Sequence, residues 1–177
     1  MNASVLHLAA LAAMVFIALL FLRAAMHKAQ DYGRFLGFLA DYRLVPEALL
    51  AALARGLIGL EFAVVALLIW PPVAMYGAMG AFALLGLYAL AMAINLLRGR
   101  TLIECGCGGS GQPLSWLLVV RNCTLMALCA LAMWVPMQFT GALDLFFALG
   151  AGLLAFGFYV IAELVTANHA TIKQRLS

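Results

Sequence analysis

The chain has 177 residues, of which 67% are hydrophobic and only 10% charged, with a formal net charge of +3 and a mean hydropathy of +1.11. Such a composition excludes an ordinary water-soluble domain, where charged residues make up about a quarter of the total. A membrane-spanning helix needs about 20 mostly apolar residues, so the chain has room for four or five spans and little else.

The first apolar run, residues 4–22, lacks the basic stretch that opens a secretory signal and is long enough to span, so it is expected to be a retained first helix. Residues 23–47, "RAAMHKAQDYGRFLGFLADYRLVPE", mix charges with Phe35, Leu36, Phe38 and Leu39. This pattern predicts a short amphipathic element lying on the membrane interface, with a solvated loop as the plainer alternative. Pro46 marks the start of the next span. Further apolar runs cover residues 48–70, 73–97, 113–135 and 144–166. All five should be helices, because lipid offers no water to satisfy backbone groups. Trp70-Pro71-Pro72 is a tight turn, "WVPMQFTGALD" links the last two spans, and Trp70 and Trp134 suit interfacial anchors. The expected fold is therefore all-α: a polytopic membrane helix bundle of about five transmembrane helices, a four-helix core plus one, forming a single integral membrane domain over residues 1–177. Membrane lipid is its implied surroundings. No Gly-rich phosphate loop, zinc-type Cys/His spacing or basic stretch with interleaved aromatics occurs, so nucleotide and nucleic-acid functions are not expected.

Basic residues divide unevenly between the two ends of such a bundle. With five spans, Arg23, Lys28, Arg34, Arg43, Arg98, Arg100, Lys173 and Arg175 share one face, and the opposite face has no Lys or Arg. The positive-inside rule makes the basic face cytoplasmic and puts the amino terminus outside.

That basic face also carries "ECGCGGSGQP", residues 104–113, with two of the four cysteines. Cys105 and Cys107 precede the start of the fourth span. A helix start has unpaired N–H groups and a partial positive charge, which favour thiolate over thiol. Glu104 acts in the opposite direction on Cys105. Cys107, nearer the helix, is expected to be the more acidic thiol. A Cys-X-Cys disulfide closes a small strained ring, which makes it easier to reduce. Gly106, Gly108 and Gly109 leave the sulfurs open to a partner. Thiol–disulfide exchange is the leading reading. The same two thiols can instead bind a soft metal such as Cu(I), although no histidine or third cysteine in the loop completes a metal site, and unreactive cysteines in a turn are the plainest alternative. Cys123 and Cys129, six residues apart on the fourth span, diverge by about 120° and do not bond each other. They are candidate electron relays or small apolar fillers of helix contacts.

Ionisable groups within the spans normally face the bundle interior and mark function. Glu61 lies midway along the second span, and Arg121 and Asn122 lie about two turns into the fourth. The expected arrangement pairs Arg121 with Glu61, with Asn122 beside them, and pairs Arg55 with Glu163. These groups either lock the bundle or stabilise a thiolate or the anionic form of a bound quinone.

Taken together, "RAAMHKAQDYGRFLGFLADYRLVP", Glu61, "INLLRGRTLIECGCGG" and "PLSWLLVVRN" make the chain similar to the MauE group of the DoxX-like membrane proteins. The sharpest matches are residues 98–109 and the Arg121-Asn122 pair, and His27-Lys28 also resembles the DoxX-type pattern. The resemblance implies a multi-pass protein of the bacterial inner membrane that works with a thioredoxin-like protein in maturing the disulfide-rich small subunit of a periplasmic methylamine dehydrogenase. It further implies that Cys105 and Cys107 are the redox pair, that Arg121, Asn122 and Glu61 support them, and that a quinone is a candidate cofactor. Two other classes compete with this one: a soft-metal binding or transport protein using the same thiols, and a non-catalytic membrane scaffold for a redox partner. A periplasmic partner is in tension with a cytoplasmic loop. Outward transfer of electrons through the membrane, or the inverse orientation, would resolve it.

Overall fold

Apolar residues recurring every three or four positions place one face of each helix toward a common core. The computed structural model describes the backbone of residues 3–101, 103, 113–135 and 141–176. Helix α1 (Ala3–Gln30) buries Leu11, Met14, Ile17, Phe21, Ala25 and Lys28. Helix α2 (Tyr32–Tyr42) is short and buries Phe35 and Tyr42. Helix α3 (Glu47–Ile69) follows Pro46 and buries Leu50, Ala54, Leu57, Glu61, Val64 and Leu68. A 3₁₀ turn (Pro71–Val73) leads into α4 (Ala74–Leu97). Helix α5 (Trp116–Trp134) buries Leu118, Asn122, Leu125, Cys129 and Ala132, and α6 (Ala142–Leu176) completes the chain.

Five of these helices are long and apolar enough to cross a membrane: Val5–Gln30, Glu47–Ile69, Pro71–Leu97, Trp116–Trp134 and Ala142–Thr166. Helices α1, α3, α4 and α5 enclose the core, and α6 packs on the outside of α1. The close α1–α6 approach depends on Gly152, where a Cβ would lie 2.7 Å from the Val15 side chain and 2.9 Å from the Ala12 carbonyl oxygen. Small residues at such crossings let helices meet where lipid gives no hydrophobic drive. Trp70 and Trp134 are exposed at the same end of the bundle, as interfacial anchors require.

Three boundaries differ from those expected from the sequence. The first span does not stop at residue 22 but runs to Gln30, so the expected interfacial segment 23–47 loses its first eight residues to α1. The cause is positional: Ala25 and Lys28 continue the buried stripe of Ile17 and Phe21. What remains is α2, capped at Asp31, whose carboxylate accepts from the Arg34 N–H at 3.3 Å. The fourth span starts at Trp116, not at Pro113. Leu114 is held outside the helix by donating its N–H to the Ile103 carbonyl at 2.9 Å. The last span begins at Ala142, not at residue 144, and its helix continues beyond the spanning part to Leu176.

The carboxyl end of α1, α2, the amino end of α3, the carboxyl end of α4 and the amino end of α5 gather at one end of the bundle. Arg100, beyond α4, ties this end together by donating to the Asp41 carbonyl at 3.2 Å.

Candidate functional site

Glu61 occupies a core position because it falls on the same stripe as Leu57, Val64 and Leu68. A carboxylate in such a place needs partners. It forms an ion pair with Lys28 of α1 and accepts from the Tyr88 hydroxyl of α4 at 2.6 Å. The Lys28 ammonium also donates to the Tyr88 hydroxyl at 3.4 Å. Its nitrogen lies 4.7 Å from the Tyr88 ring centre and 5.3 Å from that of Phe35, within reach of cation–π attraction. Lys28 is 4% exposed and Glu61 fully buried, so three helices are joined by a charge pair shielded from lipid.

A second ionic group joins α1, α5 and α6. Glu163 accepts from Arg23 at 2.5 Å and faces Arg121 at 3.6 Å. The expected pairing of Arg121 with Glu61 is therefore incorrect, and so is that of Arg55 with Glu163. Asn122 is on the buried stripe of α5, and successive residues on a helix differ by about 100°, so Arg121, one position off that stripe, pairs with Glu163 of α6 and not with Glu61. Arg55 lies on an exposed face, where its Nε donates to the Ala51 carbonyl of its own helix at 3.2 Å.

Between the two ionic groups lies a cavity of about 30 Å³, with Lys28, Glu61, Tyr88, Arg121, Asn122 and Glu163 in its wall. Glu61, Arg121 and Asn122 thus border one space although they do not pair as expected. Glu61 Oε2, Arg121 Nε and Asn122 Nδ2, on these three residues, are buried with no hydrogen-bond partner among the described residues. Lys28 and Tyr88 also close the inner end of a larger apolar cavity of about 220 Å³ beneath α2, walled by Phe35, Phe38, Tyr42 and Met92. On the other side, Arg121 and Glu163 form the floor of a crevice of about 410 Å³ between α5 and α6, which begins at Pro113 and Ser115.

Cys105 and Cys107 lie outside the described residues, but both flanks of their segment are placed. The Leu114–Ile103 hydrogen bond joins them, and α5 starts two residues later without a side-chain cap from Ser115. Cys129 sits in the bundle core and Cys123 on an exposed face. Among the described residues no three His, Cys, Asp or Glu side chains converge as a metal site would require. Outside the spans, burial pushes the Tyr42 hydroxyl pKa up to about 12.

Lys28, Tyr88 and Arg23 are not among the candidate site residues that the sequence points to, where Lys28 and Arg23 count only with the basic face. The membership of Lys28 in the Phe21–Ala25 stripe was the available signal.

Fold and polar core together define a multi-pass helical membrane protein whose bundle is joined by buried ion pairs. A family model described as Methylamine utilisation protein MauE matches residues 6–135, and the chain belongs to that family. It is 44% identical over 125 residues to the methylamine utilization protein MauE of Paracoccus denitrificans, covering 69% of this chain and 67% of that one. The Paracoccus versutus protein of the same name is 40% identical over 154 residues, 85% of this chain and 83% of its own. That of Methylophilus methylotrophus is 31% identical over 167 residues, 92% and 88% of the two chains. No solved structure matches the chain.

Proposed function

We propose that this protein is a membrane thiol–disulfide oxidoreductase that exchanges electrons with a thioredoxin-like partner in the periplasm and supports disulfide formation in a methylamine-dehydrogenase-type enzyme. The observation that carries the reading is the 2.9 Å Leu114–Ile103 hydrogen bond. It brings together the two ends of the segment containing Cys105 and Cys107 at the uncapped start of α5, where free N–H groups favour a thiolate. The names of the relatives support methylamine utilisation as the setting for this reading.

In the exchange, the thiolate of one loop cysteine attacks a partner sulfur. A mixed disulfide forms, the partner's S–S bond breaks, and the released partner thiolate takes up a proton. The second loop cysteine then attacks the mixed disulfide and frees the reduced partner. Two electrons leave the Cys105-Cys107 pair, which becomes a disulfide. The reverse sequence oxidises the partner.

A lipid-soluble quinone fits the chemistry of the 220 Å³ cavity: apolar and aromatic walls suit its ring, and Lys28 offers a donor at the inner end. Such a group, when bound, accepts two electrons and two protons from a dithiol.

The test is mixed-disulfide trapping. In a Cys105→Ser or Cys107→Ser variant, the remaining cysteine should form a covalent adduct with a thioredoxin-like protein, visible on a non-reducing gel and absent from the double variant. Lack of an adduct with every thioredoxin-like candidate, together with unimpaired methylamine dehydrogenase maturation in the double variant, would overturn the reading.

A further inference from the structure

The three cavities lie in series and share walls. Arg121 and Glu163 border both the crevice at the start of α5 and the small polar cavity. Lys28 and Tyr88 border both the polar cavity and the apolar cavity beneath α2. Polar groups therefore continue from the crevice to the head of a pocket that is otherwise apolar.

The residues of the middle cavity carry three buried atoms with no hydrogen-bond partner among the described residues: one acceptor, Glu61 Oε2, and two donors, Asn122 Nδ2 and Arg121 Nε. Glu61 and Asn122 are 0% and 2% exposed. Leaving such groups unsatisfied in a membrane bundle is costly. A water needs about 10–15 Å³ and two to four polar partners, and the cavity of about 30 Å³ is large enough and is lined by the three residues that carry these atoms. A small anion suits the site less well, because Glu61 presents a carboxylate oxygen to the same space.

We propose that these residues form a proton path from the crevice to the apolar cavity, with a water bridging Asn122, Arg121 and Glu61, and Glu61 as the proton carrier. This rests on the redox reading above, in which protons accompany the electrons. Lys28 gives an N–H proton to an acceptor oxygen in the apolar cavity. Glu61, a carboxylate in the resting ion pair, takes up a proton at Oε2 from the bridging water, which draws its replacement from the crevice, and then passes a proton to the neutral Lys28 amine, so that ammonium and carboxylate are both restored. Each transfer breaks one bond to hydrogen and forms another, so the path is restored after every proton. Tyr88, donating to Glu61 Oε1, keeps Oε2 turned to the water. Arg121 orients the water through Nε, and its charge is balanced by Glu163. The remaining charged or titratable groups around the cavity are Arg23 of α1 and Tyr159 of α6.

The test is infrared difference spectroscopy of the full-length protein in a Cys105→Ser/Cys107→Ser background, which makes it independent of thiol exchange. A protonated-carboxyl stretch should grow as pH falls, shift in heavy water and disappear in Glu61→Gln. Asn122→Leu removes the bridging donor and should slow the deuterium shift by about tenfold, the rate equivalent of one hydrogen bond. Asn122→Ser, which keeps a polar group and adds no bulk, should retain fast exchange and shows that slowing in the leucine variant is not general unfolding. Absence of any pH-dependent carboxyl stretch, its survival in Glu61→Gln, or equally fast exchange in Asn122→Leu would overturn the proposal. Mixed-disulfide trapping reports separately on the thiols.

Discussion

Lys28 and Glu61, 33 positions apart in sequence, form an ion pair in the centre of the bundle, where the Tyr88 hydroxyl donates to the same carboxylate oxygen. The pair connects α1 to α3 at a depth that the apolar stripes of both helices would otherwise fill with hydrocarbon side chains. Removing one member leaves the other charged and buried. Lys28→Met and Glu61→Leu should each destabilise by about 3–5 kcal/mol, whereas the double variant should recover most of the loss. Thermal unfolding of all three in detergent closes the cycle.

The second ionic group is asymmetric. Glu163 serves both Arg23 and Arg121, so losing the carboxylate strands two cations, while losing Arg121 still leaves the Arg23 pair. Glu163→Gln should therefore cost about 2 kcal/mol and Arg121→Gln less than about half of that. Equal losses in melting temperature would contradict this geometry.

Gly152 and Gly150 lie on the same helix but should respond to alanine with opposite signs. At Gly152 a Cβ would meet Val15 at 2.7 Å, whereas at Gly150 it meets nothing within 4 Å. Gly152→Ala should cost about 1–3 kcal/mol through overpacking and loosen α6 from α1. Gly150→Ala should be neutral or gain up to about 1 kcal/mol in helix propensity. Protease susceptibility of α6, compared with the parent, separates the two.

Tyr42 supplies a pH dependence. Its hydroxyl pKa is raised from 10.0 to about 12 by burial, so the folded state holds the proton more tightly than the unfolded state. Stability is thus fully present below pH 10 and falls as pH rises from there to about 12, by roughly 2–3 kcal/mol. Tyr42→Phe should flatten this alkaline limb. An unchanged limb would mean that other tyrosines cause it.

Direct attack on a periplasmic partner requires Cys105 and Cys107 to be open to the periplasm, whereas the count of basic residues puts their loop inside. In spheroplasts of a strain carrying Cys123→Ala/Cys129→Ala, direct exchange predicts that a membrane-impermeant maleimide labels the pair after reduction and without lysis. Labelling only after lysis would overturn direct exchange and leave outward electron transfer through the membrane as the route to such a partner.

Much of the site was legible in the residues. Five apolar stretches of spanning length announced the bundle. The Leu118, Asn122, Leu125, Cys129 register marks Asn122 as core-facing, just as Leu57, Glu61 and Val64 mark Glu61. Local periodicity carries this information, because a helix repeats its faces every 3.6 residues whatever surrounds it. Partner choice is not local. Whether Glu61 meets Arg121 or Lys28, and whether Glu163 meets Arg55 or Arg23, depends on which helices are neighbours and how each is rotated about its axis. Only the packed bundle decided that α1 would stand between α3 and α6 and present Lys28 to one and Arg23 to the other. Burial of charge in lipid demands a partner from every ionisable group, but which side chain fills that demand is set by distances that exist only once the helices have docked.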